Sequence, residues 1–240
     1  MTHSPIDRAI DAVRRHMGDG ACSEWEPVLR GFATLEGSAP ALRAISQAPS
    51  EEEVRDRLAE VGFIALLLHL EFELEIEPTG RKGADLQVTR DNATALVEIT
   101  RFRRMHEGPI DLLKAREDPR LGEYGDIARD WGKAHEKILK KLRQVRGDTS
   151  IIAIWNDDGD LEEIEVELAV NGLVADHDAG RTPLPEGLMF VLYGSRWVSG
   201  ATGKQFYVFP VAGDSLDWAP LFRFARQSDA LDALARRAEV

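Results

Sequence analysis

Two acidic residues on adjoining extended segments, Asp85 and Glu98, are the side chains whose types and spacing point most directly to chemistry. Between them lies Arg90-Asp-Asn-Ala93, and Asp91 and Asn92 both suit the positive φ that a two-residue hairpin turn requires. With those two at the centre of the turn, Arg90 faces Ala93, and stepping back along both strands brings Asp85 opposite Glu98. A four-residue loop keeps this register and a three-residue loop breaks it. Opposed residues of this kind have Cβ atoms about 5 Å apart. Carboxylates so close raise each other's pKa unless a cation lies between them. Mg²⁺ takes one or two carboxylates and leaves its other positions to water and phosphate. A metal held this way lowers the pKa of a bound water and stabilises charge on a phosphodiester. The alternative is an edge hairpin in which either acid points to solvent or pairs with Arg101 or Lys82.

The elements that must position these residues are readable from periodicity. Ile6, Ile10, Val13 and Met17 recur at helical spacing, as do Trp25, Val28, Phe32 and Leu35, with Ser23 and Glu26 as a capping box. Ala41–Gln47 reads as a further short helix. Ser50 and Glu53 form a second capping box, opening a helix with Val54, Leu58, Val61, Ile64 and Leu68 on one face. Glu71–Glu77 then alternates strictly, predicting a half-buried strand with Phe72, Leu74 and Ile76 inward and four glutamates in solvent. Ala84–Thr89 and Thr94–Phe102 are the strands of the hairpin. Gly108–Tyr124 reads as a loop with a helical turn, and Asp126–Val145 as a long helix with the stripe Ile127, Trp131, Ala134, Ile138, Leu142 and Val145. Ser150–Trp155 is apolar enough to be buried on both faces. Leu161–Val170 fits a helix, although its alternation also fits a strand. Leu188–Tyr193 and Phe206–Phe209 read as strands, and Asp214–Ala238 as a closing helix.

Short connections in the middle imply an antiparallel three-strand meander. The crossover through Asp126–Val145 permits a parallel neighbour after it. The expected architecture is α/β: a mixed sheet with a helical N-terminal arm over 1–49 and one domain over 50–240. That domain divides into a core at 50–155 and a C-terminal elaboration at 156–240.

The 240 residues carry 30 Lys and Arg against 42 Asp and Glu, a net charge of −12. The charge is uneven: residues 81–146 balance at +5 and the remainder at −17. A local basic segment can engage a polyanion even on an acidic protein, because fields act within a Debye length of about 8 Å. The bland reading is that these lysines and arginines decorate solvated helix faces. A single cysteine, Cys22, excludes an internal disulfide, and no CxxC or His/Cys cluster suggests zinc. The start of the chain shows no secretory or transit pattern, so a cytoplasmic setting is expected. The longest apolar run, Val61–Leu70, is broken by Gly62 and His69 and is too short for a bilayer, so no membrane association is expected. Ser195 and Ser199 lack a strand–elbow–helix context, and Gly194–Gly203 has no phosphate-loop pattern. Tyr124 and Trp131 are of a type that stacks on bases, but Trp131 lies on the apolar stripe.

The run Gly83-Ala-Asp-Leu-Gln-Val88, a short turn, and Ala95-Leu-Val-Glu-Ile-Thr100 resemble the active-site hairpin of the PD-(D/E)xK nuclease superfamily, with its restriction-endonuclease-like fold. The likeness covers residues 50–155. It implies that Asp85 and Glu98 bind Mg²⁺ and that a helical acid assists, Glu60 or alternatively Glu53. Two departures stand out: Ala84 where Pro is usual, and Thr100 where the family has Lys. Some relatives take that lysine from the following helix, and Lys137-Ile-Leu-Lys-Lys-Leu-Arg-Gln144 is similar to that helix's basic pattern. The resemblance therefore implies Lys141, then Lys137, as the catalytic amine, with Gln144 beside them. Arg101, Arg103 and Arg104 are expected either to grip phosphates or to pair with acidic helices.

The function so implied is Mg²⁺-dependent hydrolysis of nucleic-acid phosphodiesters, DNA in preference to RNA, by an endonuclease. Thr100 and the net charge motivate a second expectation, a catalytically degenerate module of the same fold that binds nucleic acid or a protein partner, or pairs with itself. A third is a purely protein-interaction role using the acidic terminal surfaces.

Overall fold

The computed structural model describes residues 4–77, 84–102, 134–136, 138–141, 149–157, 161–184, 187–196, 199, 202–211 and 218–239. At its centre β4 (Ser150–Asn156) is apolar on both faces because both are covered. Ile151 and Ala153 join one hydrophobic cluster, and Ile152 and Ile154 join the other. Around it lie β1 (Glu73–Ile76), β2 (Leu86–Arg90), β3 (Ala93–Arg101), β5 (Leu188–Ser195) and β6 (Phe206–Pro210). These form one six-stranded sheet whose spatial order follows the chain. The first three strands are an antiparallel meander, β3–β4–β5 run parallel, and β6 returns antiparallel. Parallel neighbours need a crossover. The chain between β3 and β4 contains the helical residues 134–136 and 138–141, and that between β4 and β5 contains a helix.

One face of the sheet carries α1 (Pro5–Phe32), α2 (Ser38–Gln47), α3 (Glu51–His69) and, from the chain's end, α6 (Gln227–Ala235). The other carries α4 (Glu163–Asp178) and residues 134–136 and 138–141, with Ala134 and Ile138 buried in the same cluster as Val166, Val170 and Ile152. A short α5 (Ala219–Phe222) precedes α6. Gly62 sits where α6 crosses α3. The Gln227 amide donates to the Gly62 carbonyl at 2.9 Å, and a Cβ at Gly62 would lie 2.7 Å from that amide nitrogen.

The architecture is thus α/β with a six-stranded mixed sheet, as the periodicity predicts. The four glutamates of 71–77 are exposed, and Leu161–Val170 resolves to helix. In the stretch expected as a helical arm, Ile10, Val13, Leu29, Phe32 and Ile45 share one cluster with α3 and the sheet. Two expectations are corrected. Ser23 caps nothing. Its hydroxyl donates to the Asp19 carbonyl inside α1, Glu26 pairs with Arg30, and the break falls at Gly18, where φ is +88°. The closing helix is interrupted at 223–226. Ser50 does cap α3, accepting from the Glu53 N–H at 3.3 Å. The Gly108–Tyr124 loop and Ile127, Trp131, Leu142 and Val145 of the expected stripe lie outside the described residues. Among the described residues no helix is long and apolar enough to cross a membrane.

Candidate active site

The hairpin forms in the register that its turn chemistry dictates. Asp91 and Asn92 adopt φ of 51° and 64°, so the turn has two residues and Arg90 pairs with Ala93. The ladder runs back to Leu86 opposite Val97, and the Asp85 N–H donates to the Val97 carbonyl at 3.1 Å. Continuing it by one residue sets Asp85 against Glu98. Leu86 and Val97 point into the cluster under α3. Because strand side chains alternate, Glu98 falls on the other face. There its neighbour on β4 is Ile152, which packs with Ile138.

Glu98 is 2 % exposed, an expensive place for a carboxylate. Its Oε1 is ion-paired with the Lys141 ammonium, while its Oε2 is buried with no hydrogen-bond partner among the described residues. Burial first and the neighbouring Asp85 second push the Glu98 carboxyl up to about 7, and Lys141 opposes them. The Asp85 carboxyl is also raised, chiefly by burial, against the Ile99 N–H that donates to its Oδ2 at 2.7 Å. From α3, Glu60 reaches the same cleft. Burial and then Asp85 lift it to about 7, although Arg57 pairs with it at 2.7 Å. The cleft measures about 560 Å³, and Glu53, Glu77 and Thr100 also line it.

The donors are all oxygen, as a hard divalent cation requires, and the buried Glu98 Oε2, with no hydrogen-bond partner among the described residues, is open to such an ion. No group of three or more His, Cys, Asp or Glu among the described residues forms a ready metal cage. Asp85 and Glu98 therefore suit an ion that keeps most of its shell as water or phosphate, and Mg²⁺ is such an ion.

Four of the site residues read from sequence converge here: Asp85, Glu98, Glu60 and Lys141. Glu53 lines the rim. Lys137, Gln144, Arg103 and Arg104 lie outside the described residues. Arg101 does not fit the expected phosphate role. Its guanidinium is 0 % exposed and bonds Asp56 at 3.0 Å, Asp157 at 2.8 Å and Glu52. A buried guanidinium must be paired, and the first turns of α3 supply the acids. Sequence reasoning missed Arg57, which the Arg57-x-x-Glu60 spacing on a helix signals. It also missed Asp157, for which no local signal exists.

Comparison with known proteins gives no match to a family model, a curated protein or a solved structure.

Proposed function

We propose that this chain is a Mg²⁺-dependent phosphodiesterase acting on DNA, with the restriction-endonuclease-like arrangement that its hairpin resembles. The observation that carries the reading is the meeting of Asp85, Glu98 and the Lys141 ammonium in one cleft, with Glu60 across from them on α3. Asp85 and Glu98 would hold the cation, which when bound supplies Lewis-acid activation and charge neutralisation at the phosphate. Lys141 stands where Thr100 brings no charge. Its ammonium would orient the attacking water or balance negative charge on the pentavalent phosphorus as the new P–O bond forms and the old one breaks. Glu60, with its raised pKa, can take or hold a proton near neutral pH.

The test is cleavage of plasmid and of a labelled duplex by purified protein with and without Mg²⁺. Asp85→Asn and Glu98→Gln should each lower the rate by about 100-fold or more, since each removes a charge that acts in the transition state. Lys141→Met should do so by a smaller factor. Intact substrate across Mg²⁺, Mn²⁺ and Ca²⁺, with DNA and with RNA, would overturn the reading. One observation favours a second reading, a degenerate module that binds nucleic acid or a protein partner. Lys141 already occupies one Glu98 oxygen, and no third acid completes a cage among the described residues. DNA binding that is indifferent to Asp85→Asn, without cleavage, would select it.

A further inference from the structure

A second cleft, also about 560 Å³, opens at the carboxyl ends of the parallel strands β4 and β5. It is separate from the Asp85–Glu98 cleft and owes nothing to the phosphodiesterase reading. One wall is aromatic. Trp155, near the end of β4, meets Phe63 of α3 edge to face, with centroids 6.1 Å apart and planes at 86°. Trp25 of α1 lines the same cleft. Phe63 is buried, whereas both indoles stay partly exposed. Both rings therefore offer aromatic surface to whatever enters the cleft.

The opposite character comes from arginine. Arg55 lines the floor with its charge matched by Glu51 and Asp157. Arg226, just before α6, is different. It is half-buried, its Nη2 donates to the Gly203 carbonyl at 2.7 Å and its Nη1 to the Ala225 carbonyl at 3.3 Å. These acceptors are neutral, so they orient the guanidinium without cancelling its charge, and Arg226 pairs with no carboxylate among the described residues. A ligand with a flat aromatic part and an anionic group would engage both the indoles and Arg226.

We propose that this cleft binds a nucleotide, with the base against Trp25 and Trp155 and the phosphate at Arg226. Stacking on indole and a charge-assisted bond from guanidinium to phosphate are the two interactions that this chemistry calls for. The nucleotide can be a free mononucleotide or one unit of a single strand, and the experiment separates the two.

Adenosine 5′-monophosphate, adenosine and a short single-stranded oligonucleotide are titrated into the full chain by calorimetry. Saturable binding of the monophosphate is expected, and Arg226→Gln should weaken it by about tenfold or more, as loss of a charged hydrogen bond does. Adenosine, lacking phosphate, should feel that change little, while Trp25→Leu should weaken both. Far-UV circular dichroism checks that each variant folds, and the Arg226→Gln comparison decides alone if Trp25→Leu does not. Binding of the oligonucleotide but not the monophosphate, with the same dependence on Arg226, supports the proposal with a strand as the source. No saturable binding of either, or binding indifferent to Arg226→Gln, overturns it. Asp85→Asn should leave the monophosphate affinity unchanged, so loss of the cleavage reading and loss of this one are separately visible.

Discussion

Lys141 forms an ion pair with Glu98, a residue 43 positions earlier in the chain and almost wholly buried at the centre of the sheet. The ammonium favours the ionised form of Glu98 against burial and Asp85. Replacing it by methionine strands the carboxylate. The Glu98 carboxyl already titrates near 7 in the fold against 4.5 ordinarily. A raised folded pKa means that ionisation opposes folding, so the penalty is absent below the ordinary value and complete above the folded one. Lys141→Met raises that pKa further. It should therefore cost about 1 kcal/mol near pH 8 and almost nothing near pH 5, read by urea unfolding. An equal loss at both pH values would show that the pair does not govern the ionisation of Glu98.

Glu60 obeys the same sign with a different remedy. Burial and Asp85 lift its carboxyl to about 7, so its ionisation works against the fold as pH rises from about 4.5 to 7. Glu60→Gln keeps the shape and removes the charge. It should stabilise the protein by about 1–2 kcal/mol near pH 8, after allowing for the lost Arg57 pair, and leave it unchanged near pH 5. A variant less stable than the parent at the higher pH would mean that the Arg57 pair outweighs the burial.

Arg101 separates structural from binding roles. Its carboxylate partners among the described residues include Glu52 and Asp56 on α3 and Asp157 after β4, far apart in the chain. Arg101→Leu should destabilise by about 3 kcal/mol at neutral pH, because it removes the buried cation that Glu52, Asp56 and Asp157 share. Where the variant remains folded, its affinity for duplex DNA should match the parent's in a fluorescence-anisotropy titration. A stable variant with weakened DNA binding would return Arg101 to the phosphate-gripping role expected from its sequence position.

Asn92 tests the hairpin that sets the acids opposite each other. With φ of 64°, it occupies a left-handed conformation that glycine takes freely and β-branched residues resist. Asn92→Gly should be neutral or stabilising by a few tenths of a kcal/mol, and Asn92→Val should cost about 1–2 kcal/mol. Thermal melts read both. A valine variant as stable as the parent would imply that the turn had rearranged, and with it the register of Asp85 and Glu98.

What sequence alone could determine was whatever depends on near neighbours along the chain. The opposition of Asp85 and Glu98 follows from a turn that tolerates positive φ and from the two-residue period of strands, both local properties. The doubly buried β4 and the Ser50 cap of α3 were legible for the same reason. The choice among partners was not. Arg101 could equally face phosphate or acid until the ends of α3 and β4 were brought beside it, and burial then demanded pairing. Ser23 and Glu26 satisfied the pattern of a helix start, yet the chain broke at Gly18, where backbone freedom outweighed a cap. That Lys141 reaches Glu98 depends on how the crossover segment lies across the sheet. Its basic pattern offers more than one lysine, and only the fold's packing, through Ala134 and Ile138 against Ile152, decides which face turns to the acids. Spacing proposes candidates because covalent geometry is short-ranged. Tertiary structure selects among them because desolvation and charge pairing act between residues that the chain itself keeps far apart.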